Sequence, residues 1–141
     1  MGTISENFSY LEFEHSDTAE QKGIANVITT VPVRDSIKAL VDEVLQPLRT
    51  AWGKPLIINS GYRCPELNKA VGGVPTSQHV KGEAADVASD DSYALAQLAC
   101  DLRLPYDQMI LYPTFVHFSH RLEGEQRGQI LYNRTYQGKR V

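Results

Sequence analysis

The fold is decided by Ser77-Gln78-His79-Val80-Lys81-Gly82-Glu83-Ala84-Ala85-Asp86, followed later by Phe115-Val116-His117-Phe118-Ser119-His120. His79 and Asp86 are seven residues apart, with a glycine between them and small residues next to the acid. A segment of this kind can turn and then enter a strand, which aims both side chains at one point. In the second segment, strand alternation places His117 on the face opposite to its apolar neighbours. We therefore expect a polar site built on strands.

Two imidazoles and one carboxylate are a ligand set that suits a metal ion. Three protein ligands with one position left open are typical of hydrolytic zinc rather than structural zinc. Iron in a two-histidine, one-carboxylate triad uses the same ligands, so these residues alone leave zinc and iron as alternatives. Taken singly, each such residue is more often a hydrogen-bonded surface or core group, which is the competing interpretation.

The elements around these segments predict helices first and strands later. Ser9 and Glu12 have the spacing of a capping box ahead of a short helix. Apolar residues at three- and four-residue steps predict a helix from Asp35 to about Arg49, which Pro47 should kink or end. A further helix should follow Asp90 or Asp91. The predicted strands cover residues 56–58, 84–88, 109–112, 115–118 and 129–132.

This order of elements indicates the α+β class. We expect one compact domain over residues 1–141, with its core at about residues 8–133. In it, N-terminal helices should pack on a small, mainly antiparallel sheet that carries the metal site.

Composition excludes several classes of protein. The chain has 17 acidic and 14 basic residues and no basic run that could follow a phosphate backbone, so nucleic acid is not an expected partner. It has neither an apolar stretch of roughly 20 residues nor the basic and apolar regions of an export signal, so no membrane partner is expected either. Two cysteines are too few for a disulfide framework.

Several short motifs occur together in a specific order. They are Ser60-Gly61-Tyr62-Arg63, Val71-Gly72-Gly73, Ser77-x-His79-x-x-Gly82-x-Ala84-x-Asp86 and Val116-His117-Phe118-Ser119. Their order and spacing resemble the M15 family of zinc peptidases, the D-alanyl-D-alanine carboxypeptidases and L-alanyl-D-glutamate endopeptidases of peptidoglycan. The resemblance runs from about residue 8 to residue 133 and is greatest with the small bacterial and phage-encoded branch. It implies a hedgehog/DD-peptidase-like fold.

The resemblance also implies roles for individual residues. His79, Asp86 and His117 would hold one Zn²⁺, with water in the fourth position. Arg63 would bind a carbonyl or carboxylate of the substrate and stabilise the developing oxyanion. Ser77 and Gln78 would support substrate binding, Ser77 through a hydrogen bond behind the ligands.

One position departs from the family pattern. Many members carry Glu or Asp three residues before the last histidine ligand, as general base and then general acid, and Thr114 stands there. A threonine hydroxyl cannot hold the proton at neutral pH, so another group must do so. The candidates are Asp107, Glu83, His120 and Glu123. We take His120 and Asp107 as the catalytic predictions, next to Arg63.

The expected function is zinc-dependent hydrolysis of peptide bonds in peptidoglycan stem peptides by a monomer. The alternative is a metal-bound module that binds cell-wall peptides and has lost its catalytic base. Since no export signal is recognisable, we expect synthesis in the cytoplasm and access to the wall by other means, such as the release at lysis used by the phage endolysins that the chain resembles. The residues leave the cleaved bond open between the two family types.

Overall fold

A computed structural model describes residues 2–141. Its helices are α1 (Tyr10–Glu14), α2 (Asp17–Lys22), α3 (Val31–Leu40), α4 (Gln46–Trp52), α5 (Pro65–Ala70) and α6 (Ser92–Asp101). Its strands are β1 (Thr3–Ser5), β2 (Phe8–Ser9), β3 (Ile58–Ser60), β4 (Ala84–Ala88), β5 (Gln108–Leu111), β6 (Phe115–Ser119) and β7 (Gln129–Tyr132). None of the helices within residues 2–141 combines the length and apolar character needed to cross a membrane.

Five of the strands form one sheet in the order β3-β4-β6-β5-β7. All neighbouring pairs in it are antiparallel except β5 and β7, which run parallel. The first two strands form a separate antiparallel pair. The predicted α+β class with a mainly antiparallel sheet is therefore confirmed.

The two faces of the sheet differ in character. One face packs into the apolar core, with Val87 of β4 and Val116 and Phe118 of β6 fully buried. Ile37 of α3 and Leu48 of α4 belong to the same core. The intervening residues of the central strands point to the other face, so the core fixes the positions from which polar side chains emerge.

Local capping follows the sequence. The backbone N–H of Ser9 donates to Glu12 Oε1 at 3.1 Å, as in the predicted capping box. Asp91 caps α6 by accepting from the backbone N–H of Ala94 at 3.0 Å.

The long helical segment differs from the prediction at Pro47. The segment starts at Val31 and does not end at the proline, because α4 continues to Trp52. A π-helical turn, Val41–Leu45, directly precedes α4, and the N–H of Gln46 donates to the carbonyl of Val41. The proline thus falls in the first turn of α4, where a missing backbone N–H costs little.

The first strand of the main sheet is also displaced from its predicted position. The prediction covered residues 56–58 as a buried strand followed by a turn, but β3 runs Ile58–Ser60 and Ile57 is 61% exposed. Ile58 pairs with Val87 and Ser60 with Asp86, with a register shift between them. Pairing with β4 therefore extends the strand into residues 59–60, which were predicted to form a turn.

Candidate metal centre

The pairing of β4 with β6 brings two of the predicted ligands together. Asp86 and His117 are direct partners in the antiparallel register. His79 reaches them from the turn that precedes β4, and the three ligand atoms lie within 4.8 Å of one another. The predicted cluster of two imidazoles and one carboxylate is thus present on the face of the sheet opposite the core.

Backbone contacts fix the orientation of His79. Its side chain is 3% exposed, and Nδ1 lies 2.7 Å from the carbonyl oxygen of Gly61, to which the N–H donates. This bond sets the tautomer and leaves Nε2 as the free ligand atom, 3.3 Å from Asp86 Oδ1. Gly82 shapes the turn, because its φ is +75° and a Cβ there would lie 2.7 Å from the carbonyl of Val33.

Asp86 is the electrostatic centre of the cluster. His117 Nδ1 lies 2.8 Å from the same Oδ1 that His79 approaches. Burial alone would raise the pKa of Asp86, but its interactions with His117 and His79 outweigh this effect and hold the pKa well below its usual range. The carboxylate is therefore ionised and can share a cation with the two imidazoles. This donor set fits zinc, and a carbonyl behind His79 is the support that a metal-bound histidine usually has.

Arg63 lines the same cleft as Asp86 of the cluster. The cleft has a volume of about 380 Å³, and its lining includes Arg63, Asp86 and Ser60. The guanidinium donates from Nε to Ser60 Oγ at 3.3 Å, and the backbone N–H of Arg63 donates to the carbonyl of His79 at 3.1 Å. Burial lowers the pKa of Arg63 and the Asp86 carboxylate raises it, and a guanidinium remains charged under both influences.

Comparison with known proteins shows the family of the chain. A family model described as Peptidase M15 matches residues 6–120. The chain belongs to the peptidase M15 family. It is 36% identical over 97 residues to a zinc D-Ala-D-Ala carboxypeptidase of Streptomyces albus G, an alignment that covers 66% of this chain and 36% of that protein. The chain therefore spans little more than a third of the length of this relative. The relative and the His/Asp/His cluster together point to zinc.

Ser77 and Gln78 of this M15 chain occupy supporting positions. Ser77 Oγ accepts from the backbone N–H of His79 at 3.2 Å, which holds the turn before the ligand. Gln78 Nε2 donates to Asp107 Oδ2 at 3.2 Å and to Glu83 Oε1 at 3.4 Å. Both contacts are with protein groups, and the predicted role of the two residues in substrate binding stays a prediction.

Asp107 forms a separate polar cluster in this M15 chain. It is fully buried, and it accepts from Arg127 Nη2 at 2.7 Å and from the backbone N–H of Arg127 at 2.8 Å, while Arg121 Nε lies 3.4 Å away. Burial alone would raise the pKa of Asp107, but the bonds from Arg127 lower it to about 2. A carboxylate held in this way is a weak proton acceptor at neutral pH, so its surroundings disfavour the predicted catalytic role.

His120 follows the end of β6 and lies outside the ligand cluster. The residue is 9% exposed, and within residues 2–141 its Nδ1 has no hydrogen-bond partner. Burial lowers the pKa of His120, against the opposing charges of Glu43, Glu83 and Asp107. The imidazole is therefore neutral over a wider pH range than a free histidine, which keeps one ring nitrogen able to accept a proton.

Two further residues, Tyr112 and Asn68, lie next to the M15 site. Tyr112 stacks on Phe115 with ring centroids 4.1 Å apart, and both are half-buried, whereas Phe118 is part of the core. Burial raises the pKa of Tyr112, and the charge of Asp86 raises it further. Its phenol is therefore a hydrogen-bond donor at neutral pH and not a base. Asn68 is buried against Arg63. As the fourth residue of α5, Asn68 had no sequence pattern that singled it out.

Proposed function

We propose that this protein is a zinc-dependent peptidase that hydrolyses peptide bonds in the stem peptides of peptidoglycan. The observation that carries the proposal is the shared cleft, in which Asp86 of the ligand cluster lies with a charged Arg63. A cation site next to a guanidinium suits a substrate with a polarised carbonyl and nearby carboxylates. The name of the Streptomyces relative supports D-alanyl peptides as the substrate class. All these groups come from one chain, so a monomer is sufficient.

In this proposal His79, Asp86 and His117 hold one zinc ion. When bound, zinc would lower the pKa of a water ligand from about 16 towards about 7 and polarise the scissile carbonyl. The carbonyl of Gly61 keeps His79 Nε2 free for this purpose. Arg63 orients the substrate through a carbonyl or carboxylate and stabilises negative charge as it develops.

Proton transfer is assigned to His120 rather than Asp107. A neutral imidazole with an unpartnered nitrogen can accept a proton, whereas the carboxylate of Asp107 already accepts from Arg127 and Gln78. His120→Ala should then lower kcat by about 100-fold or more while zinc content stays unchanged. Unchanged kcat in this variant would remove His120 from the mechanism.

A second candidate function is a metal-bound module that binds cell-wall peptides without cleaving them. Thr114 favours it, because this side chain is exposed and has no ionisable group where many family members carry an acid. Under this proposal Thr114→Glu should create or increase cleavage, since it adds a carboxyl group three residues before His117. Thr114→Gln, which adds similar bulk without an acid, is the matched control.

Mass spectrometry of defined muropeptides after incubation with the zinc-loaded protein tests both functions. Loss of a terminal D-alanine identifies carboxypeptidase activity, and cleavage between L-alanine and D-glutamate identifies endopeptidase activity. His117→Ala should abolish either product together with bound zinc. Zinc-loaded protein that yields neither product contradicts the peptidase proposal, and saturable binding of the same muropeptides would then support the second candidate.

A further inference from the structure

The guanidinium of Arg63 is held by two neutral side chains. Nη1 donates to Asn68 Oδ1 at 3.0 Å, in addition to the bond from Nε to Ser60 Oγ. Within residues 2–141, Nη2 has no hydrogen-bond partner. Two of the three nitrogens are thus occupied on the protein side, and the third keeps its donors for another group.

Asn68 is itself fixed by its surroundings. The residue is 3% exposed, and its Nδ2 donates to the carbonyl of Val74 at 2.8 Å. The backbone carbonyl of Asn68 accepts from the backbone N–H of Gly73 at 2.8 Å. Because the amide nitrogen faces a carbonyl, the amide oxygen must face Arg63, and a flipped amide would set donor against donor.

Gly73 allows the loop to close over this contact. A Cβ at residue 73 would lie 2.1 Å from Asn68 Oδ1 and 2.9 Å from Arg63 Nη1. Of the neighbouring glycines 72 and 73, only Gly72, with φ +78°, has a positive φ. Gly73 is required for space, because any side chain there would displace the amide from the guanidinium.

We propose that Asn68 is a positioning residue that holds Arg63 in one orientation without neutralising its charge. This inference rests on the proposed role of Arg63 in binding substrate. A carboxylate at this position would pair with the guanidinium and compete with an anionic substrate group. A neutral amide orients the guanidinium equally well and leaves the full positive charge for the cleft that Arg63 shares with Asp86.

A double-mutant cycle on the zinc-loaded protein tests this role. Asn68→Ala should lower kcat/KM on a cleaved muropeptide by about 10- to 100-fold, the usual effect of removing a supporting partner. In an Arg63→Ala background the same change should have less than about a threefold effect, because its partner is gone. An equal loss in both backgrounds, or no loss in either, would overturn the proposal. Asn7→Ala, at an exposed asparagine, is the control and should match the wild type.

Asn68→Asp separates orientation from charge. It preserves the volume of the side chain, and it should raise KM by about tenfold or more for a substrate with a free carboxylate while zinc content is unchanged. An unchanged KM would mean that the neutrality of Asn68 has no role.

NMR of the Arg63 side chain provides a readout that needs no activity. In zinc-loaded wild type the Nη1 protons of Arg63 should exchange slowly with solvent. This protection should disappear in Asn68→Ala and remain in Asn68→Asp, whose carboxylate still accepts from Nη1. Equal exchange in wild type and Asn68→Ala would overturn the proposal even if the protein cleaves no muropeptide. Absence of cleavage with the expected spectra would contradict the proposed function alone.

Discussion

Two aspartates of this molecule, the partly buried Asp86 and the fully buried Asp107, differ in the groups that surround them. In both carboxyl groups burial alone would raise the pKa, but neighbouring groups lower it below its ordinary value. Asp86 lies against imidazoles, whose ring nitrogens can bind a metal ion, whereas Asp107 lies against arginines, whose nitrogens only donate hydrogen bonds. Only the first arrangement offers a set of metal-ligand atoms. The partners of a buried carboxylate therefore decide whether it is a ligand or an internal ion pair.

The largest expected effect comes from changing each aspartate to asparagine. Asp86→Asn removes a charged ligand and should lower zinc affinity by more than the roughly 10- to 100-fold typical of supporting residues. Asp107→Asn should leave zinc affinity within about threefold of wild type, because its side chain contacts Arg127 and Gln78 instead of the ligands. Competition with a fluorescent zinc chelator measures both. Equal losses of zinc affinity in the two variants would contradict the assignment of Asp86, and not Asp107, to the zinc site.

Folding stability should show the reverse pattern. Asp107→Asn should lower the free energy of unfolding of the zinc-free protein by about 2 kcal/mol, since the charged hydrogen bonds of Arg127 lose their acceptor. Asp86→Asn should change the same quantity by less than about 1 kcal/mol, because the neutral amide still hydrogen-bonds to an imidazole. Urea denaturation at neutral pH compares the two variants, and a larger loss for Asp86→Asn would be the opposite result.

Much of the metal centre was predictable because its signals are local. The small residues of β4 and the alternation in β6 identify Asp86 and His117 as polar groups on apolar strands. Their direct pairing was not predictable, because it depends on a sheet order in which β6 lies between β4 and β5. The surroundings of Asp107 depend on Arg127, twenty residues further along the chain in a loop, and no spacing rule connects the two.

The same limit applies to local conformation. Helix periodicity identified the segment that becomes α3, the π-helical turn and α4, but the effect of Pro47 depended on that turn. Gly73 lies in a loop, and the need for a glycine there comes from the nearby side-chain amide of Asn68. The first outcome depended on the preceding turn and the second on a tertiary contact, and neither followed from the residue type alone.

The pH dependence of stability sharpens the contrast further. The pKa of Asp107 is about 2 in the folded protein, below the ordinary value of 3.8. Its contribution is therefore complete above about pH 4 and is lost as the pH falls towards about 2. The stability difference between zinc-free wild type and Asp107→Asn should thus shrink below about pH 4. A difference that stays constant down to about pH 3 would mean that Asp107 is not held by its arginines.

Gln78 connects the two clusters and should have the smallest effect. It directly precedes His79 in the chain, and its side chain donates hydrogen bonds to Asp107 and Glu83. Gln78→Ala should lower stability by about 1 kcal/mol and zinc affinity by less than about threefold, because both lost bonds are long. Calorimetric titration with zinc and urea denaturation measure the two quantities. A loss of zinc affinity as large as that of Asp86→Asn would show that the clusters around Asp86 and Asp107 act as one unit.

X-ray absorption at the zinc edge tests the central claim most directly, because it reports the ligands of the ion in the wild-type protein. The account predicts two imidazoles and oxygen ligands at about 2.0–2.2 Å, with no sulfur. The Asp86→Asn protein should lose this spectrum, and Asp107→Asn should retain it. A sulfur ligand at about 2.3 Å, a single imidazole, or an unchanged spectrum in Asp86→Asn would contradict the assignment of His79, Asp86 and His117 as the zinc site.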